Sequence, residues 1–262
     1  QVAMMDVGQG TAVLVRTKRH ALLYDTGAGV PGGFSRGQST VLPGLHALGI
    51  ERLHTAVISH GDNDHAGGLV AVREGIAVDR IQAPLGALPA EVPHAECIAG
   101  RHWQWDGVHF VYIWPIDRHS GDDNDRSCVL LVRGGGRSLL LTGDISAAAE
   151  TQLLTHYGEL LRSEVVLVPH HGSAGSSSEA FIAAVKPQVA LISSGFQNRF
   201  RHPRPEVLER YRNAGAQTVN TVDSGWAELT GTPDGWVWSR QARHDDRRYW
   251  LRNAQEASVK GY

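Results

Sequence analysis

The chain has 262 residues, 42% of them hydrophobic, which is enough for one substantial core and within the range that α/β folds fill as a single domain. A formal charge of −2 and a pI of about 6.7 exclude a polycation that coats nucleic acid by charge alone, so any nucleic-acid contact must be local. No run approaches the ~18 apolar residues of a membrane helix, and two cysteines, Cys97 and Cys128, exclude a disulfide framework and a CxxC motif while leaving their pairing open.

The chain lacks an initiator Met and opens almost at once into an apolar run, with no basic segment before it, so it reads as a domain cut from a longer protein. Residues 11–16 and 20–25 are short runs of strand formers separated by Thr17, Lys18 and Arg19, which predicts a hairpin. Residues 27–39 are rich in Gly and Pro and read as a mobile loop, followed by a helix over 40–48. A buried strand over 53–59 then ends at the densest polar cluster of the sequence. Further strands are predicted at 107–114, 128–133, 137–142, 164–168 and 188–193, and helices at 145–155, 178–185 and 205–213. This mixture predicts two sheets, or one large sheet, covered by helices. The domain is expected over 1–240, with 241–262 a polar tail.

The polar cluster is His60-Gly61-Asp62-Asn63-Asp64-His65, two imidazoles and two carboxylates within six residues, directly before Ala66-Gly67-Gly68. Imidazole nitrogen and carboxylate oxygen both bind divalent cations, and a strand-to-helix turn can aim alternate side chains at two neighbouring points. The competing reading is a polar loop in which Asp62 and Asp64 cap the following helix. An EF-hand loop starting at Asp62 fails at its twelfth position, where Arg73 stands in place of the bidentate Glu. No G-x-x-x-x-G-K-[ST] or G-x-S-x-G motif offers a nucleotide site or a serine nucleophile.

The H-x-D-x-D-H run, with Asp6-Val7-Gly8-Gln9-Gly10, Asp25-Thr26-Gly27, Leu141-Thr142-Gly143-Asp144 and Pro169-His170-His171-Gly172-Ser173, resembles the C-terminal metallo-β-lactamase-like domain of the ComEC family, the membrane channel proteins of bacterial DNA uptake. The resemblance covers about residues 2–230 and implies an αββα sandwich with a two-metal site at one edge of the packed sheets. It makes His60 and Asp62 ligands of one metal, Asp64 and His65 ligands of the second, and Asp144 the bridge. Asp62 stands where the wider superfamily has a second histidine, a hard oxygen donor that shifts preference toward Mn2+ over Zn2+. A further superfamily histidine between the first motif and Gly143-Asp144 is lacking: Asn124 to Ser127 occupy that stretch, with His119 the nearest alternative.

Of the adjacent pair, His171 is expected to be a ligand and His170 to face away. Asp64 and His202 are the candidates for direct participation in catalysis, His202 through the substrate or its leaving group. Asp6 and Asp25 are expected to orient ligands or to form turns. Gly8 and Gly10 read as a tight strand entry. The segment from Arg199 to Arg212, with Arg199, Phe200, Arg201 and Tyr211, could pair phosphates and stack on unpaired bases, although its Arg210 and Arg212 end reads as a solvated helix face. Ser173 and Ser176 to Ser178 offer donors suited to a phosphate or to helix capping.

Two metals about 3.5–4 Å apart activate water and stabilise a leaving oxygen, so hydrolysis is expected. The resemblance implies a deoxyribonuclease acting in DNA uptake, with the non-imported strand a candidate substrate, and the arginine and aromatic segment from Arg199 favours single-stranded DNA. It also implies attachment to the membrane channel portion of the same full-length protein, on the periplasmic side of the inner membrane. The alternatives are another phosphodiester or small-ester hydrolase, and a non-catalytic module that guides DNA.

Overall fold

A computed structural model describes residues 1–30, 32–116 and 122–246. Two sheets pack face to face. The first runs, edge to edge, through Gly235–Gln241, Ala227–Thr232, Val2–Met4, Val13–Arg16, Ala21–Tyr24, Thr55–Val57, Ile81–Ala83 and Ala95–Glu96. The second runs through Gln217–Asn220, Val189–Ile192, Val165–Leu167, Arg137–Leu141, Val129–Gly134, Val108–Trp114 and His102–Trp105. Each sheet is antiparallel on one side and parallel on the other, where helices carry the chain back between strands.

The inner faces alternate apolar residues into one seam: Val13, Val15, Leu22 and Tyr24 from the first sheet meet Leu130, Val132, Leu139 and Leu141 from the second. Outside the first sheet, Val41, Leu45 and Val72 of the covering helices pack on Ala3, Leu14 and Leu23. Outside the second, Ala149, Leu153, Phe181, Ile182 and Val207 pack on Val129, Leu140, Val166 and Ala190. The four layers are helix, sheet, sheet and helix, the αββα sandwich that the resemblance implied. Helices Ala147–Tyr157, Glu179–Val185 and Pro205–Asn213 fall where the periodicity placed them.

Two expectations are corrected. Residues 27–39 are not simply a loop: Gly29 bridges Ser35, and a turn of π-helix over Gly37–Val41 runs directly into the helix Leu42–Ala47. Close approach requires the glycine at Gly37, where a Cβ would stand 2.2 Å from the Gly68 carbonyl oxygen. Gln241 ends a strand, and the helical turn Ala242–Asp245 follows it, with Arg243 donating to the Thr221 and Val222 carbonyls and pairing with Asp6 at 2.7 Å. The tail expectation for 247–262, and His119, lie outside the described residues. Cys97 and Cys128, left open by the sequence, form a disulfide that ties the end of the first sheet to the second.

Candidate metal centre

Parallel strands end at one rim of the sandwich, and their next residues carry the donors: Asp25 after Ala21–Tyr24, His60 after Thr55–Val57, Asp144 after Arg137–Leu141, and His171 after Val165–Leu167. Open α/β sheets concentrate chemistry at such strand ends because the loops there converge while the strands hold them. Asp62 occupies the residue before the helical turn Asn63–Ala66, but its side chain makes no capping hydrogen bond. The capping reading therefore fails for it.

His65 is fully buried. Its Nδ1 lies 2.8 Å from Asp25 Oδ2, and its Nε2 lies 3.1 Å from His171 Nε2 and 3.3 Å from Asp144 Oδ1. His171 Nδ1 donates to the Ser193 carbonyl at 2.8 Å, and its Nε2 is 3.3 Å from Asp144 Oδ2 and 3.4 Å from Asp64 Oδ2. Since a carboxylate and a carbonyl can only accept, both Nδ1 atoms carry the proton, and both Nε2 atoms present lone pairs to each other and to two carboxylates. Such an arrangement of like-signed acceptors needs a proton or a cation in its midst. Protons can take that place: burial pulls the His65 and His171 imidazoles down, but the charges and hydrogen bonds of the surrounding carboxylates, Asp144 foremost, together outweigh it, raising His65 well above the usual range and His171 to about 9. Burial likewise pushes Asp64 and Asp144 up, and the two imidazoles overcome it, bringing Asp64 to about 2 and holding Asp144 well below its usual value.

His60 extends the cluster. Its Nδ1 lies 3.0 Å from Ser59 Oγ, which itself donates to Asp25 Oδ2 at 2.8 Å, while Ser127 Oγ stands 3.4 Å away. With its Nδ1 proton spent there, the buried Nε2 has no hydrogen-bond partner, an orphan acceptor facing the cluster with Asp62 Oδ2 3.6 Å off. His60, His65 and Asp144 form one set whose ligand atoms lie within 4.8 Å of one another, and Asp64, His65 and His171 form a second. The donor set, the orphaned nitrogen and the paired lone pairs fit divalent cations. Asp62, its side chain more than half exposed, belongs to neither set and touches the cluster only through His60. In the absence of a cation, the structure groups His60 with His65 rather than with Asp62 alone.

His170 and His171 both have positive φ, 50° and 54°, and two successive left-handed residues send one ring inward and the other outward. His171 is the buried one; His170 is partly exposed, its Nε2 3.9 Å from Asp144 Oδ2. His202 packs edge-on against His170 with ring centres 5.7 Å apart. Its Nδ1 is buried and unpaired, and burial with the His170 charge lowers its pKa to about 4, so the ring is neutral at neutral pH. Phe200 stacks on His202 at 5.6 Å, and the Arg199 guanidinium lies 4.7 Å above Phe200. Arg201 is exposed beside them, so this ridge begins at the cluster and leads away from it.

The remaining candidates divide. Asp25 orients His65 directly and His60 through Ser59. Ser127 Oγ accepts from the Asp144 amide at 3.0 Å, behind the ligand rather than in front of it. Asn124 starts the short 3-10 turn Asn124–Arg126 that delivers Ser127. The bonds of Asp6 go to Gly8 N and Arg243, not to a ligand. Ser173 Oγ accepts from Gly175 N; Ser176 Oγ donates to the Pro169 carbonyl; the amides of Ser177 and Ser178 donate to Glu150; and Ser178 caps Glu179–Val185. Ser176, Ser177 and Ser178 are thus occupied internally and do not present the phosphate cradle considered from sequence. Ser59 was missed. Its position beside His60 was the only available signal.

The Metallo-beta-lactamase superfamily model matches residues 5–195, and the chain belongs to this superfamily, whose members are generally metal-dependent hydrolases that bind divalent metals. Among curated proteins it is 41% identical to "Competence protein ComA" of Neisseria gonorrhoeae, over 86% of this chain and 31% of that protein. It is 39% identical to "Recombination protein 2" of Haemophilus influenzae, over 86% of this chain and 28% of that one. These are relatives of the ComEC family, and the chain spans under a third of the length of each. Among solved structures, the metallo-beta-lactamase fold protein YhfI of Bacillus subtilis superposes with a TM-score of 0.53 at 11% identity, covering 84% of this chain and 96% of that one, a likeness of fold alone.

Proposed function

We propose that this domain is a two-metal phosphodiesterase that cuts single-stranded DNA during DNA uptake, as part of a membrane channel protein. The observation that carries the reading is the cluster of His and Asp donors continuous with a ridge of Arg199, Phe200, Arg201 and His202. His60, Asp62, Asp64, His65, Asp144 and His171 would hold the cations, with Asp144 between them and Mn2+ preferred over Zn2+ on account of three carboxylates. Such cations supply Lewis acidity and lower the pKa of water. The protein's own part is orientation and contact. Asp25 and Ser59 hold the imidazoles with their Nε2 lone pairs forward. The neutral His202 ring can hydrogen-bond a leaving oxygen without adding charge. Arg199 and Arg201 meet phosphates, and Phe196 and Phe200, 70% and 45% exposed, offer stacking faces to unpaired bases. The Cys97–Cys128 disulfide supports an extracytoplasmic, periplasmic location, since such bonds persist in oxidising compartments. The names of the relatives support the link to competence and to a membrane protein. No described helix is long and apolar enough to cross a membrane.

The test is digestion of a labelled single-stranded oligonucleotide with Mn2+, Zn2+ and Mg2+, with Asp64→Ala as the contamination control. Cutting is expected with Mn2+, falling with salt as phosphate contacts release counterions. Arg199→Ala combined with Arg201→Ala should weaken DNA binding and leave metal content intact. No cutting with any metal, or equal cutting by Asp64→Ala, would transfer the reading to a DNA-guiding module.

A further inference from the structure

On the His60 side of the cluster lies a cavity of about 180 Å³ walled by His60, Asp62, the loop Pro84, Leu85, Gly86 and Ala87, and the side chains of Asp123 and Arg126. Arg126 is the only Lys or Arg among its described walls. Asp123 Oδ1 pairs with one terminal nitrogen of its guanidinium, while Nε is buried with no partner at all. A buried cationic N–H without an acceptor carries a cost, and with the side chain 32% exposed the guanidinium fork can be reached from the cavity it lines. The cavity is below the 300–1,000 Å³ that holds a whole drug-sized ligand, and its size suits a phosphate with part of its sugar.

Resting on the phosphodiesterase reading, we infer that Arg126 is a substrate-binding residue that takes a non-bridging oxygen of the scissile phosphate in this cavity. Three features agree. Its turn Asn124–Arg126 is held at its middle residue, by the Asp125 carboxylate accepting from Ser146 N and Oγ at 2.7 and 2.9 Å, and just past its end, by Ser127 accepting from the Asp144 amide. The guanidinium is therefore mounted on the same element that braces Asp144 and His60. Asp62 and Asp123 are its other charged walls and neither Arg199 nor Arg201 lines it, so Arg126 is the one cation these walls offer an anionic substrate. The planar fork fits the tetrahedral oxygens of a phosphate, which a lysine's point charge matches less well.

The experiment compares wild type, Arg126→Ala and Arg126→Lys, each loaded with Mn2+. It measures inorganic phosphate binding by titration calorimetry, oligonucleotide kinetics, metal content by mass spectrometry and melting temperature. Arg126→Ala should lose about tenfold or more in phosphate affinity and in kcat/KM, the effect of one charge-assisted contact. Its metal content and melting temperature should match wild type, and Arg126→Lys should recover part of the loss. Unchanged phosphate affinity in Arg126→Ala, absence of phosphate binding by wild type, or a parallel fall in metal content would each overturn the inference. If wild type binds phosphate through Arg126 yet cuts no oligonucleotide with any metal, the nuclease reading fails and the anion site stands.

Discussion

The two ends of the sandwich are built from the same strands and behave differently. At the rim that carries the candidate metal centre, chain crosses chain at contact distance: Gly10, at φ 126°, would put a Cβ 2.3 Å from the Asp64 carbonyl oxygen, and Thr11 N donates to that same oxygen. At the opposite mouth the hairpin turns at Gly107, Gly135 and Gly136 also have positive φ, but a Cβ there meets nothing within 4 Å. That mouth encloses the larger cavity, about 550 Å³, lined by residues such as Lys18, Asp106, Arg137 and Trp236, against about 180 Å³ beside His60. Size does not mark the site. What distinguishes the rim is its set of His and Asp ligand atoms within 4.8 Å of one another, together with backbone packed so tightly that only glycine fits.

The contrast sharpens first at the ligands. Asp64→Ala and Asp144→Ala should reduce metal-dependent activity to background and lower metal stoichiometry, with a cooperative fold retained by circular dichroism; normal stoichiometry in either would break the assignment of the rim as the metal site. His171→Ala should cost far more metal affinity than His170→Ala, measured by competition with a chelating dye, because the buried His171 Nε2 stands 3.3–3.4 Å from both Asp144 and Asp64, whereas the partly exposed His170 reaches only Asp144, at 3.9 Å. The reverse order would exchange their roles. Ser59→Ala should weaken metal binding about 10–100-fold, the usual effect of losing a residue that orients ligands. An unchanged affinity would show that Asp25 alone suffices.

The smallest and most direct comparison is between glycines. Gly10→Ala should destabilise by about 2–4 kcal/mol, from strained backbone together with overpacking. Gly135→Ala should cost only about 1 kcal/mol, the left-handed strain alone. Urea melts of the two variants read the difference, and equal costs would mean that the rim is no more tightly constructed than the mouth.

Much of the site was legible because its chemistry is local. His60, Asp62, Asp64 and His65 lie within one turn, and Asp144 and His171 each follow an apolar strand in a separate motif. Helices with clear periodicity, such as Pro205–Asn213, were legible for the same reason. The strands Ile81–Ala83 and Ala95–Glu96 were not, being two or three residues long with no extended apolar run around them, and His102–Trp105 and Gly235–Gln241 alternate exposed and half-buried residues without a continuous apolar signal.

By itself the sequence determined the donor types, their order along the chain and the strand-end turns that carry them, since these follow from residue identity and short-range periodicity. Only the tertiary structure decided which imidazole nitrogen faces forward, because Asp25 and Ser193, which hold the Nδ1 protons, stand 40 and 22 residues from His65 and His171. It likewise joined Cys97 to Cys128 across 31 residues and took Asp6 to Arg243 instead of to a ligand. Such pairings depend on how one sheet sits on the other, and that is set by the whole buried seam rather than by any segment of it.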